Sequence, residues 1–222
     1  MLAGAAGMAW MSASRSEPAD RAGVERIVRE YLVANPEIIP EAMQALQNKQ
    51  AAKVVDANRA ALETPFGSAW AGAADGDVVL VEFYDYACGY CRSSNEDVER
   101  LLAEDKRLKV VWREWPVLGQ DSLAAAEASL AAAEQGRFRP FFAAMFEQGR
   151  PTAAALASVQ GATGVRATAA VPRYREEIEN NHELARQLGA TGTPTFIVGD
   201  KLLQGAVGYD ALKQAIAEAR AT

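Results

Sequence analysis

The sequence predicts an α/β domain with a parallel pair of strands, an inserted helical block and an N-terminal helical arm. Residues 78–84 form a short β-branched and aromatic run, typical of a buried strand, and Cys88 follows it at the start of a helical pattern. A second strand-like run occupies 108–115. Strand, helix and strand in this order predict a βαβ unit with parallel strands. Strand character returns at 192–203, after a helical block at about 120–186.

The first sixteen residues are small and apolar, and they turn polar around Ser12 and Ser14. An apolar core followed by small residues near a cleavage site is typical of the back half of a secretory signal. We therefore interpret residues 1–16 as a signal-peptide remnant and expect an exported protein, with a disordered tail as the alternative. The apolar run is too short for a membrane span, which needs about 20 apolar residues.

Residues 17–62 carry the pattern of two amphipathic helices, the second starting near Asn35-Pro36. Such helices need an apolar partner, which is either the main domain or the same helices of another subunit. We favour self-association, because the arm lies outside the unit that the later motifs define. The apolar face of the first helix consists of Val24, Ile27, Val28, Tyr31 and Leu32.

Residues 63–77 contain Pro65 and several glycines, and we interpret them as a linker that ends in a turn. The main domain is therefore expected at 78–222. Within it, Asp121 is the expected cap of an alanine-rich helix. The helical block also carries an aromatic stripe, which is expected in the core: Phe138, Phe142, Met145 and Phe146.

Cys88 and Cys91 are the only cysteines of the sequence. At a helix N-terminus, free N–H groups and the helix dipole favour a thiolate. A free thiol has a pKa of about 8.5, and a Cys-x-x-Cys motif at a helix N-terminus lowers it to roughly 3.5–7.5. Cys88, at the exposed end, is the predicted nucleophile. Cys91, one turn inward, is the predicted resolving thiol.

Composition excludes some functions and leaves others open. A net charge of −6 without a long basic cluster argues against nucleic acid and against an anionic membrane surface. A structural zinc site needs four ligands, more than two cysteines and one histidine supply. Copper(I), a soft ion, suits two thiolates and stays an alternative. A purely structural disulfide between Cys88 and Cys91 is the third possibility, but so short a loop gives little stabilisation.

Three stretches together resemble one known family. The strand followed by Cys88-Gly89-Tyr90-Cys91, the helical block, and the phrase ARQLGATGTPTF at 185–196 are similar to DsbA-like thioredoxin-fold proteins. The phrases VEFYDYACGYC and YLVANPEIIPEAMQALQNKQ most resemble the suppressor-of-copper-sensitivity protein C group. The similarity runs from about residue 20 to the end. It implies a thioredoxin fold with an inserted helical domain and an N-terminal oligomerisation arm.

The resemblance also implies roles for single residues. Thr193 and Pro194 match the family's cis-proline loop, which lies opposite the nucleophilic cysteine and pairs with an extended substrate peptide. Gly89 and Tyr90 are the expected substrate contacts between the cysteines. Glu82 matches a buried acid that moves protons at the resolving cysteine; the alternative is an edge-strand glutamate that faces water.

The function that the resemblance implies is thiol–disulfide exchange on exported, cysteine-containing proteins in the periplasm, as a disulfide isomerase or reductase. The redox-active pair Cys88–Cys91 would need no cofactor. A membrane-bound partner would keep this cysteine pair reduced. The chain would form a homo-oligomer, commonly a trimer in this group. The alternatives are a DsbA-like dithiol oxidase and copper(I) binding or tolerance.

One departure from the family concerns the residues between the cysteines. Strongly oxidising members carry a histidine there, whereas this chain has Gly89 and Tyr90, and its single histidine is His182. We therefore expect a Cys88 pKa between about 3.5 and about 7, and a reduction potential between roughly −120 and −270 mV. His182 is expected to be a surface or capping residue.

Overall fold

The computed structural model describes residues 21–166 and 171–221. Within these ranges the chain forms eight helices and five strands. The expected signal-peptide remnant, residues 1–16, and the first residues of the expected arm, 17–20, lie outside the described residues. None of the described helices combines the length and the apolar character needed to cross a bilayer.

The helices and strands are numbered in chain order. The helices are α1 (Arg21–Ala34), α2 (Ile38–Glu63), α3 (Gly89–Glu104), α4 (Gln120–Glu134), α5 (Phe138–Glu147), α6 (Ala153–Thr163), α7 (Pro172–Gln187) and α8 (Tyr209–Ala219). The strands are β1 (Trp70–Gly72), β2 (Val78–Tyr84), β3 (Leu108–Glu114), β4 (Thr195–Val198) and β5 (Lys201–Gln204).

The strands form a single sheet in the order β1-β3-β2-β4-β5, with β2 at its centre. β2 and β3 are parallel and are connected by α3, so the predicted βαβ unit is confirmed. The other pairings are antiparallel. The register places Glu82 of β2 between Trp112 of β3 and Phe196 of β4.

Helices cover both faces of the sheet. Successive strand residues point to opposite faces, so Leu80 and Tyr84 pack with α3, α5 and α8, whereas Val81 and Phe83 pack with α2 and α7. Glu82 has the same parity as Leu80 and Tyr84 and therefore lies on the α3 side of the sheet. The predicted aromatic stripe is buried on this side, as expected: Phe138, Phe142, Met145 and Phe146.

The helical arm differs from its predicted extent. The described residues divide into two compact units, with the division between Gln44 and Ala45. α2 spans the division, and its C-terminal half supplies Ala51, Val55 and Leu62 to the core of the second unit. The expected boundary at residue 62 therefore lies too far along the chain. The sequence pattern missed it because the apolar positions of α2 thin out in its middle.

The expected linker, residues 63–77, contains a strand. β1 pairs antiparallel with β3, with Trp70 opposite Val111 and Gly72 opposite Lys109. Gly72 has a φ of 91°, and a Cβ there would approach the carbonyl oxygen of Leu108 to 2.2 Å. Only glycine fits this position, because the turn and the close strand contact both exclude a side chain.

The inserted helices begin and end near their predicted positions, with one local correction. α4 starts at Gln120 with Gly119 as its N-cap, so Asp121 lies in the first turn rather than at the cap. A carboxylate in the first turn still interacts favourably with the helix dipole.

Arg113 of β3 anchors two helices to the sheet. Its buried guanidinium donates to the carbonyl oxygens of Leu62 and Thr64, at 3.0 and 2.8 Å, where α2 ends. It also donates to Glu177 and Asn181 of α7, at 3.0 and 2.9 Å. The last carbonyl groups of a helix need such donors when they are buried.

Candidate active site

The two cysteines lie at the N-terminus of α3, just after the central strand β2. Cys88 is the N-cap residue of α3, and its backbone N–H donates to the carbonyl oxygen of Asp85 at 3.0 Å. The backbone N–H of Cys91 donates to Cys88 Sγ at 3.4 Å. Cys88 is 6% exposed and Cys91 0%. Cys88 is therefore the more accessible sulfur, although it is less exposed than its place at a helix end led us to expect.

The two thiols have opposite proton affinities. The pKa of Cys88 is lowered to about 5, mainly by the hydrogen bond from the Cys91 thiol, while burial opposes the change and contacts with Thr193 and with backbone N–H groups assist it. The pKa of Cys91 is raised far above its usual value by burial, by its hydrogen bond to Cys88 and by the negative charge of Glu82. At neutral pH, Cys88 is therefore a thiolate and Cys91 a thiol.

The loop before β4 lies against the first cysteine. The Thr193–Pro194 peptide bond is cis, and Cys88 Sγ lies 3.2 Å from the carbonyl oxygen of Thr193. Pro194 is buried, and its own carbonyl oxygen accepts the N–H of Gly205 at 2.8 Å. The structure thus brings Cys88 to Thr193, which lies 105 residues further along the chain and is followed directly by Pro194. Both were assigned to substrate binding.

Asp85 is a site residue that the sequence analysis missed. Its buried carboxylate accepts three backbone N–H groups: that of Ala87 at 2.7 Å and those of Val117 and Leu118 at 2.8 and 2.9 Å. It therefore ties the turn before Cys88 to the loop that follows β3. An aspartate that hydrogen-bonds the backbone two residues ahead is a known turn signal, so this local part of its role could have been predicted.

Glu82 is completely buried on the central strand, which excludes the alternative of an edge-strand glutamate facing water. Its Oε2 accepts the indole Nε1–H of Trp112 at 2.9 Å, and Oε1 has no hydrogen-bond partner among the described residues. Burial raises the pKa of Glu82 to about 8, with added repulsion from Cys88 and Glu99, while the Trp112 hydrogen bond acts in the opposite direction.

Exposed side chains occur next to Cys88 in the chain and on the loop that Asp85 holds. Tyr90 is 71% exposed, and Val117 and Leu118, on the loop held by Asp85, are also exposed. Gly89 faces open space, since a Cβ there would have no heavy atom within 4 Å. The two residues between the cysteines, Gly89 and Tyr90, are therefore open to solvent.

His182 lies on α7 and takes no part in this site. Its Nδ1 lies 2.8 Å from the carbonyl oxygen of Ile178, and its ring packs against the edge of Trp115. In the part of the chain that the structure describes, no three His, Cys, Asp or Glu side chains are grouped as a metal site would require.

Two family models match the chain. The DSBA-like thioredoxin domain matches residues 79–217, which is more than half of the chain. The chain belongs to the DsbA-like thioredoxin family. The N-terminal domain of the copper resistance protein ScsC matches residues 20–53, which covers α1 and part of α2. The fold expected from the resemblance, a thioredoxin fold preceded by a helical arm, is confirmed.

Solved structures of the same kind are similar over most of the chain. A linker-deletion mutant of Proteus mirabilis ScsC is 30% identical, covers 95% of this chain and 99% of its own, and superposes with a TM-score of 0.73. A thioredoxin-like oxidoreductase from Silicibacter pomeroyi is 34% identical, with coverages of 74% and 99% and a TM-score of 0.69. A periplasmic thioredoxin-like protein from Salmonella enterica serovar Typhimurium is 28% identical, with coverages of 74% and 96% and a TM-score of 0.69.

The curated relatives are longer proteins. The Na(+)/H(+) antiporter NhaA 3 of Salinispora tropica is 30% identical over 165 residues, which are 68% of this chain and 24% of that protein. The chain thus spans about a quarter of the length of the curated relatives it matches.

Proposed function

We propose that this chain is a thiol–disulfide oxidoreductase that acts on exported proteins as a disulfide isomerase or reductase. The observation that carries the proposal is the opposite protonation of two neighbouring thiols, with the Cys88 pKa at about 5 and that of Cys91 far above its usual value. Such a pair supplies one thiolate that can attack a disulfide and one protonated thiol that reacts only in the second step. The similarity to a thioredoxin-like oxidoreductase and to a periplasmic thioredoxin-like protein supports the activity and a periplasmic location.

The reaction follows from the two protonation states. The Cys88 thiolate attacks one sulfur of a substrate disulfide, forms a mixed disulfide and releases the other substrate sulfur as a thiolate. Cys91 then passes its proton to Glu82 in its ionised form, which a pKa of about 8 makes the minor form at neutral pH, and attacks Cys88 Sγ. This step forms the Cys88–Cys91 disulfide and releases the second substrate thiolate, so the substrate is reduced and the chain oxidised. A dithiol donor, which we place on a membrane-bound partner, returns the pair to the reduced form.

Isomerisation uses only the first half of this sequence. The released substrate thiolate, or another thiolate of the same substrate, attacks the mixed disulfide and expels Cys88 as a thiolate, with no net change in oxidation state. Thr193, Pro194, Gly89 and Tyr90 would hold the extended substrate chain beside Cys88. A cysteine with a pKa of about 5 leaves readily, which favours this return step.

Self-association through α1 would place several active sites on one assembly. Val24, Ile27, Val28 and Tyr31 recur at helical spacing and are between 48% and 61% exposed in the single chain. Burying one such side chain contributes about 1.5–3 kcal/mol, so pairing these faces favours an oligomer. The match of this segment to the ScsC N-terminal domain supports the proposal. A trimer is the assembly that we propose from the resemblance to that group.

The test is the recovery of a substrate with scrambled disulfides, measured together with the mass of the assembly. We expect the double variant Ile27→Asp and Tyr31→Asp to be monomeric and to lose isomerisation, while it still reduces a simple disulfide. Arg26→Asp, on the opposite face of α1, is the matched control and should behave as the wild type. An isomerase activity that survives in the monomeric variant would contradict the role of the arm, and its absence in the wild type would contradict the isomerase itself.

Copper(I) binding by the reduced pair is the second candidate. Cys88 and Cys91 are adjacent and unbridged, and thiolates are ligands that copper(I) prefers. The family match that mentions copper resistance covers residues 20–53, however, and not the cysteines. If both thiols hold the ion, Cys88→Ser and Cys91→Ser should each weaken copper(I) binding in a competition titration. Unchanged affinity in both variants would exclude the cysteine site.

A further inference from the structure

Trp112 makes the hydrogen bond that orients the buried carboxylate of Glu82. The two residues lie opposite each other in the parallel ladder of β2 and β3, and both are buried. The indole Nε1–H donates to Glu82 Oε2 at 2.9 Å. Among the described residues no other hydrogen bond reaches this carboxylate, because Oε1 has no partner. Among the described residues, the indole is therefore the one hydrogen-bond donor to the Glu82 carboxylate.

Side chains of α5, in the helical insertion, pack against the Trp112 indole. The guanidinium of Arg139, on α5, lies 4.6 Å from the centroid of the Trp112 ring. Arg139 also donates to Glu99 of α3 at 2.5 Å, so it bridges α5 and α3 across the indole. Phe138 and Phe142 pack on the same indole, with ring centroids 5.6 and 5.2 Å away. An unbroken series of contacts therefore connects buried Glu82, through Trp112 and Arg139, to the ion pair of Arg139 and Glu99 at the surface.

We propose that Trp112 is a positioning residue that orients the Glu82 carboxyl and stabilises its ionised form, the proton acceptor for Cys91, and that Arg139 holds the indole in place. The inference rests on the proposed function, in which Glu82 takes the proton of the resolving thiol. It adds two residues outside the Cys-x-x-Cys motif and the cis-proline loop: Trp112, the hydrogen-bond donor to Glu82, and Arg139, which packs on the indole.

The charged and titratable groups that act on Glu82 come from several elements. Cys88 and Glu99, on or beside α3, oppose its ionisation, and Cys91 responds to its charge. From β3, the Trp112 hydrogen bond favours the charged form, and Arg139 on α5 neutralises Glu99 through their ion pair. Loss of either Trp112 or Arg139 should therefore change Glu82 in the same direction, toward retention of its proton at higher pH.

The test measures the pH midpoint of the Glu82 carboxyl by carbon NMR, with Glu82→Gln for assignment, together with the rate of substrate release from the mixed disulfide. Trp112→Phe keeps a ring but removes the donor. We expect it to raise the midpoint by about one pH unit, a tenfold change in proton affinity, and to move the pH profile of release by the same amount. Arg139→Met should shift both in the same direction by less.

Arg100→Met is the matched control, because Arg100 also stacks on an aromatic ring, that of Tyr209, and pairs with a glutamate of α3, Glu104. It should leave the Glu82 midpoint unchanged. A folded Trp112→Phe variant with the wild-type midpoint would overturn the proposal.

The wild-type chain provides a second measurement that does not depend on the variant folding. The indole N–H resonance of Trp112 should shift with pH at the Glu82 midpoint, and Glu82→Gln should abolish that shift. An indole resonance that stays constant through the titration would overturn the proposal. If the midpoint moves in Trp112→Phe while the release profile does not, the positioning role stands and the proposed proton transfer through Glu82 fails.

Discussion

Cys88→Ser is expected to lower the rate of thiol–disulfide exchange at least about 1,000-fold, because a serine hydroxyl is not ionised at neutral pH and cannot form the mixed disulfide. Cys91→Ser is expected to give a different result. Cys88 can still attack in that variant, but nothing resolves the product, so a mixed disulfide with the substrate should accumulate. Mass spectrometry of each variant after mixing with a disulfide-bonded peptide measures both outcomes.

Ser94→Ala, one turn beyond Cys91 on the buried side of α3, controls for disturbance of the helix. It should retain both attack and release. The assignment of roles would be contradicted if Cys88→Ser kept its activity, or if Cys91→Ser released its substrate as fast as the wild type.

Glu82→Gln is expected to raise the free energy of unfolding of the reduced protein at pH 9 by on the order of 4 kcal/mol, and to change it little below pH 4.5. The pKa of Glu82 is raised from 4.5 to about 8 in the folded chain. Between these values the folded state holds more protons than the unfolded state, so the stability of the wild type falls as the pH rises. A glutamine does not titrate, so the Glu82→Gln variant does not lose this stability as the pH rises.

Urea unfolding of both proteins at pH 4.5, 7 and 9 measures the difference. Glu114 is also buried with a raised pKa, but it is present in both proteins, so the comparison isolates Glu82. If the free energies of unfolding of the two proteins changed with pH in the same way, the burial of an ionisable Glu82 would be contradicted. The same variant should also slow substrate release from the mixed disulfide, because Cys91 then has no carboxylate to accept its proton.

Much of the fold could be predicted because its signals are local. The β-branched run of β2, the spacing that follows Cys88 and the strand character of β3 each depend on neighbours within a few residues. β1 escaped prediction because three residues that end in a glycine carry no periodicity, and they become a strand only by pairing with β3.

The chemistry of the site was predictable only in part. The positions of Cys88 and Cys91 followed from the motif, whereas the assignments of Glu82, Gly89, Tyr90, Thr193 and Pro194 rested on the resemblance, and their functional roles stay predictions. The Trp112 hydrogen bond could not be foreseen, because the register of two strands 30 residues apart brings it to Glu82.

A buried polar cluster escaped prediction for the same reason. The Tyr84 hydroxyl donates to Glu114, and the Tyr86 hydroxyl lies 2.8 Å from that of Ser129. These partners come from β2, the turn after it, β3 and α4, so tertiary packing alone brings them together.

The proposed activity depends most directly on the thiolate of Cys88. Ultraviolet absorbance of the reduced protein between pH 3 and 9 reports thiolate formation, and Cys88→Ser identifies the part that belongs to that residue. We expect a midpoint of about 5 for Cys88, with Cys91 protonated throughout the range. A midpoint near 8.5, the value of a free thiol, would contradict an activated nucleophile at the N-terminus of α3 and the function built on it.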